Sequence, residues 1–158
     1  MELLLWLENT SFATWVREGA TILAYPTILF LHTVGLATVA GLTTVLNLRV
    51  LGIARTLPFV VLTPFIPVIW IAFAVTFASG TALFIANPAP RVESLVFLIK
   101  LVFVALAVVT LHLMTKRIFR NPLADQSPLP RQARVLAVAS MLFWVAATTA
   151  GRLMAYIV

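Results

Sequence analysis

The chain has 158 residues, of which 62% are hydrophobic and only 10% charged, and its mean hydropathy is +1.08. Soluble domains are roughly half apolar and need charge to cover their exterior, so this composition excludes a soluble domain and makes lipid the solvent. The net charge of +6 would suggest nucleic acid in a soluble protein; here it reads as membrane topology, with no nucleic-acid partner expected. The chain has no cysteine, which excludes disulfides, zinc–thiolate sites, iron–sulfur clusters and cysteine nucleophiles.

Residues 1–17 hold a short apolar run, Leu3-Leu4-Leu5-Trp6-Leu7, between Glu2 and Glu8. The run is too short to span a bilayer, and Glu2 has the wrong sign for a signal peptide. With Trp6, Phe12 and Trp15 among polar residues, this segment reads as interfacial, and Asn9, Thr10 or Ser11 is suited to cap a second short helix.

Four spans follow within one integral membrane domain, 1–158. The first covers about 19–53, with Tyr25-Pro26 near its start, His32 six residues further on, and Asn47-Leu48-Arg49 near its end. Gly35, Thr38 and Gly41, with Ala37 and Thr44 offset, form a seam of small residues suited to close helix packing. The second span, about 58–86, contains Pro64 and Pro67, which should bend it near its start. Asn87-Pro88-Ala89-Pro90 reads as a tight turn. The third span, about 93–116, carries Lys100 and His112. A polar, proline-rich loop from Arg120 to Arg131 leads to the fourth, about 134–158, which carries Arg152. The expected fold is all-α: an antiparallel four-helix transmembrane bundle with an N-terminal interfacial segment.

Orientation follows from the basic residues. Arg49, Arg55, Lys116, Arg117, Arg120, Arg131 and Arg134 belong to one side, and Arg17, Arg91, Lys100 and Arg152 to the other, where Glu2, Glu8, Glu18 and Glu93 offset them. The positive-inside rule then puts both termini on the non-cytoplasmic side.

Depth along the helices groups the polar residues. His32 lies six residues past Pro26, Lys100 six past Ser94, and Arg152 six before Val158. At about 1.5 Å per residue, all three reach a similar level in the outer leaflet. Two readings apply. Lys100 and Arg152 snorkel to headgroups or pair with Glu93 or Glu18, or the three residues line a pocket for an acidic group: a haem propionate, a quinone headgroup or a lipid phosphate. Trp70, on the second span, is grouped with them as a ligand-contact residue. Asn47, Arg49 and His112, with Lys116 beside them, form a second polar set near the inner face.

His32 is a candidate axial ligand for haem b. A single haem held by His32 and His112 is not expected, because their depths differ by thirteen residues, about 20 Å of helix. The spans hold no carboxylate past Glu93 at the start of the third, which argues against a proton pump or cation-coupled transporter. No nucleophile–base set, HExxH or glycine-rich phosphate loop is present, so whether the chain is an enzyme is left open.

Several stretches resemble a family of small bacterial four-span membrane proteins without an assigned function. They are Tyr25-Pro26, Leu31-His32, Leu48-Arg49 with Leu51-Gly52, Gly80 with Leu83-Phe84, and Phe97 with Lys100. Asn47 stands where that family has an aspartate, and Ser79 where it has a threonine. The bundle is more loosely similar to copper-resistance and cytochrome b561 membrane proteins, an analogy of architecture only. The resemblance implies the bacterial inner membrane. Two functions are expected as alternatives: binding of haem or a quinone-like ligand in the outer leaflet, with electron transfer following from it, or a non-catalytic accessory or assembly role in a larger membrane complex. The partners are membrane lipids and, on the second reading, other membrane subunits or further copies of the chain.

Overall fold

A computed structural model describes residues 2–53, 56–119 and 129–157. Arg55, Arg120 and most of the proline-rich loop, 120–128, lie outside the described residues. The chain is an all-α, antiparallel four-helix membrane bundle, with four helices long and apolar enough to cross a bilayer. Its exterior is apolar as well: Phe30, Ile71 and Leu142 are each more than 60% exposed. In water such a surface would aggregate, whereas hydrocarbon solvates it.

Two short helices precede the bundle, α1 (Glu2–Glu8) and α2 (Ser11–Glu18). Thr10 is the cap between them, its hydroxyl accepting from the Ala13 amide at 3.3 Å. Residues 19–24 form turns rather than the start of the first span, and α3 runs Tyr25–Leu51 with Pro26 in its first turn. It ends at Gly52, whose φ of 86° is a left-handed cap that suits glycine.

The second span is broken as Pro64 requires. The short α4 (Phe59–Leu62) stops at Thr63, and α5 runs Phe65–Ala86. Pro67 sits in the first turn of α5, where its missing amide costs little. Residues 87–90 do not make the expected tight turn. Pro88 instead opens α6 (Pro88–Glu93), because proline's fixed φ suits the first helical position. Ser94 then caps α7 (Leu95–Met114), which continues into a π-helical turn, Thr115–Phe119. The fourth span, α8, runs Arg131–Ile157, three residues earlier than expected at its start.

Helices α3 and α5 pair along their length, as do α7 and α8, and α3 packs against α8 between the two hairpins. Helices α5 and α7 are not closely packed. The dense core occupies the half of the bundle away from the termini, where Leu46, Ile69, Leu111 and Ala137 are almost fully buried. Phe59 meets Phe119 edge-on at 5.3 Å and so ties the second span to the third there. At the other end, α2 packs on α5, and α1 on α5 and α6. Arg17 joins these pieces: it pairs with Glu8 and Glu18 and donates to the Ala86 carbonyl at 3.3 Å, at the end of α5. The bundle is therefore tight at one end and opens toward the end that carries the termini. The candidate site lies in that opening.

Candidate functional site

His32 projects from α3 toward α5 because small residues let the two helices approach. A Cβ on Gly35 would collide with the Thr76 hydroxyl and come within 3.1 Å of the Ala72 carbonyl oxygen. A Cβ on Gly80 would stand 2.9 Å from His32 Cε1, so Gly80 makes the space for the imidazole. His32 Nδ1 lies 3.0 Å from the Thr76 carbonyl oxygen and 3.3 Å from Ser79 Oγ. A carbonyl oxygen only accepts, and Ser79 Oγ already donates to the Val75 carbonyl at 2.6 Å. Nδ1 therefore carries the proton, and Nε2 keeps a lone pair with no hydrogen-bond partner among the described residues.

Lys100 enters the same space from α7. Its side chain runs over Gly151 of α8, with Nζ 3.7 Å and Cε 3.6 Å from where a Cβ on that glycine would stand. Lys100 pairs with no carboxylate among the described residues.

Between these two residues and the core is a cavity of about 270 Å³ to which all four spans contribute. Its walls are aromatic: Phe73, Phe77 and Phe84 from α5, Phe97 from α7 and Trp144 from α8. Phe84 and Phe97 stack face to face across the gap between α5 and α7, with centroids 5.6 Å apart and planes 9° from parallel. The cavity thus offers an apolar, aromatic-lined space with His32 and Lys100 at its polar side. That combination suits a lipid-soluble ring or chain carrying an oxygen head.

The other residues expected at this site stand elsewhere. Arg152 is exposed on α8 and does not line the cavity, which corrects the shared pocket expected of the three residues. It follows Gly151 directly, and one residue is about 100° of helix rotation, so equal depth did not bring equal direction. Trp70 also lies outside the lining. It packs edge-on against Phe73 at 6.1 Å and His112 at 6.4 Å.

The set expected near the opposite face is likewise divided. His112 is exposed beside Trp70. The Arg49 guanidinium lies 4.1 Å from the Phe59 ring centre and donates to the Leu57 carbonyl, closing the loop after α3. Asn47 is fully buried and donates to Ser140 Oγ of α8 at 3.2 Å. Around this bond Asn47 Oδ1, Thr43 Oγ1 and Trp144 Nε1 are buried without hydrogen-bond partners among the described residues. Thr43 and Trp144 each stand one helical turn from the bonded pair, on its cavity side.

One charged residue escapes a reading by depth. Arg91, on α6, lies within electrostatic reach of both His32 and Lys100, and its Nε is buried with no hydrogen-bond partner among the described residues. In the sequence it is a loop residue after two prolines. Its signal is Pro88, which turns the loop into a helix that carries Arg91 back to the bundle.

No group of three or more potential metal ligands occurs among the described residues. No family model matches the chain, and no curated protein or solved structure matches it. The functional reading therefore rests on the residues themselves.

Proposed function

We propose that this membrane protein binds a quinone-like ligand, its ring held in the aromatic-lined space and its oxygen head at His32 and Lys100. One observation carries the reading: a histidine and a lysine on different helices line one apolar cavity, and the histidine Nε2 has no hydrogen-bond partner among the described residues. The lysine ammonium donates to a ring carbonyl, and His32 Nε2 accepts from a ring hydroxyl, so both oxidation states of such a ring find a partner. A cavity of about 270 Å³ lies just below the usual size of small-molecule sites, about 300–1,000 Å³. That size favours a single ring system. Electron transfer is the activity such a ligand would support.

A second reading, haem b, is favoured by the fixing of Nδ1–H on the Thr76 carbonyl, since metal-ligating histidines are held this way through their other nitrogen. It asks for a larger space, and the cavity lining offers no second histidine or methionine. The proposed location is the bacterial inner membrane with both termini outside the cytoplasm, supported by the division of basic residues. A cytoplasm-only reporter should be active near Gln126 and silent after Val158.

The test is extraction of the purified protein with organic solvent, followed by chromatography and a reduced-minus-oxidised absorbance spectrum. A stoichiometric quinone supports the proposal, and a Soret band supports haem. If neither is found, and neither binds when added, the accessory-subunit reading takes its place, with other membrane subunits or further copies as partners.

A further inference from the structure

Cations partly withdrawn from water need anions. Lys100 lines an apolar cavity; Arg91, outside that lining, acts on Lys100 electrostatically, and the Arg91 Nε is buried with no hydrogen-bond partner among the described residues. Neither pairs with a carboxylate of the described residues; Glu93, two residues from Arg91, is exposed and makes no ion pair with either. Two cations without a carboxylate partner among the described residues repel one another, and each has lost part of its hydration. A neutral head such as a ring carbonyl accepts hydrogen bonds but leaves both charges uncompensated.

The cavity is also reached from the side. Phe77 of α5 and Leu101 of α7 line it, yet they are 68% and 47% exposed on the exterior of the bundle. They flank the interval where α5 and α7 are not closely packed. A ligand with an apolar tail can therefore lie partly in the cavity and partly among lipid chains.

We infer that the cavity selects an anionic amphiphile, an ionised oxygen acid on an apolar tail, with the acid between Lys100 and Arg91 and the tail running out between α5 and α7. This rests on reading the cavity as a ligand site and departs from the quinone in giving the occupant a negative charge. A carboxylate and a phosphate monoester share the needed chemistry. Arg91 meets either with a planar fork of donors, and Lys100 adds a point charge.

The test uses Trp144, in the cavity wall, as the sole tryptophan in a full-length chain carrying W6F, W15F and W70F, reconstituted in nanodiscs of neutral phosphatidylcholine. Quenching is followed with four tail-brominated probes of similar length: a fatty acid, a lysophosphatidic acid, the corresponding alcohol and a neutral quinone. The expected result is that an acid quenches at concentrations about tenfold or more below the alcohol, and that Lys100→Met and Arg91→Gln each weaken the acid about tenfold. Which acid binds more tightly identifies carboxylate or phosphate as the source. Lys100→Arg should retain binding, which separates loss of charge from loss of fold. An alcohol that binds as well as the acids, or acid binding unchanged in both cation variants, overturns the inference. If the neutral quinone binds in that case, the proposed function survives without it. If acids bind with the predicted charge dependence and the quinone does not, the inference stands and the quinone reading falls.

Discussion

His32 Nδ1 stands 3.0 Å from the carbonyl oxygen of Thr76, so one bond between α3 and α5 sets the direction of the imidazole. Gly80, one turn beyond Thr76, leaves room for the ring: a Cβ there would lie 2.9 Å from Cε1 and 3.2 Å from Nδ1. Gly80→Ala should therefore displace the histidine. Overpacking of this kind costs about 1–3 kcal/mol. Ligand affinity should fall while the bundle still forms, which thermal melting in detergent and a binding titration on the same sample would separate. Unchanged binding would mean that the imidazole does not set the ligand's position.

A second pair of glycines shows what periodicity can and cannot tell. Gly35 and Gly41 share the seam of small residues on the first span, and both read from the sequence as packing positions. Only Gly35 is one. A Cβ there meets Thr76 and the Ala72 carbonyl, whereas a Cβ on Gly41 meets nothing within 4 Å. Gly35→Leu should destabilise the bundle, because the backbone of α5 cannot yield as a side chain can. Gly41→Leu should melt close to the unsubstituted protein, its new side chain lying in lipid. Equal melting temperatures for the two would contradict this rotation of α3.

Span number, the break at Pro64 and the antiparallel order were legible because hydropathy, proline chemistry and the short connections between consecutive spans each act along the chain. Helix rotation was not, because a helix apolar on every side has no polar face to mark its interior. The same limit explains the candidate site. His32 and Lys100 were identified by depth and do line the cavity. Arg152 has the same depth and a different azimuth. Arg91 was hidden because its position depends on a six-residue helix read as a turn.

The buried Asn47 amide and Ser140 hydroxyl join α3 to α8 at 3.2 Å. Interhelical hydrogen bonds in membranes average about 0.6 kcal/mol and reach about 1.7. A double-mutant cycle with Asn47→Leu and Ser140→Ala, followed by reversible unfolding in detergent, should give a coupling energy in that range. Asn47→Asp should cost more than either, since it would place an ionised carboxylate at a position that is fully buried. Additive single substitutions would remove the bond from the account of how the two hairpins join.

Gly151 and Arg152 are neighbours in sequence with opposite expected roles. The Lys100 side chain crosses Gly151, its Nζ 3.7 Å and Cδ 3.8 Å from where a Cβ would be. Alanine at 151 makes ordinary contact and should be tolerated, whereas a larger side chain must push the lysine stem out of its path. Gly151→Leu should therefore weaken binding of an acidic ligand toward the level of Lys100→Met, with the cation still present in the chain. Arg152, exposed on the same helix, has no such contact with the cavity. Arg152→Met should leave affinity within about twofold, since a solvent- or headgroup-exposed charge acts weakly on a site it does not touch. Titrating both variants with one tail-brominated acid and reading Trp144 quenching decides the matter. If Arg152→Met costs as much as Lys100→Met, the arginine reaches the ligand after all, and depth rather than azimuth organises the site.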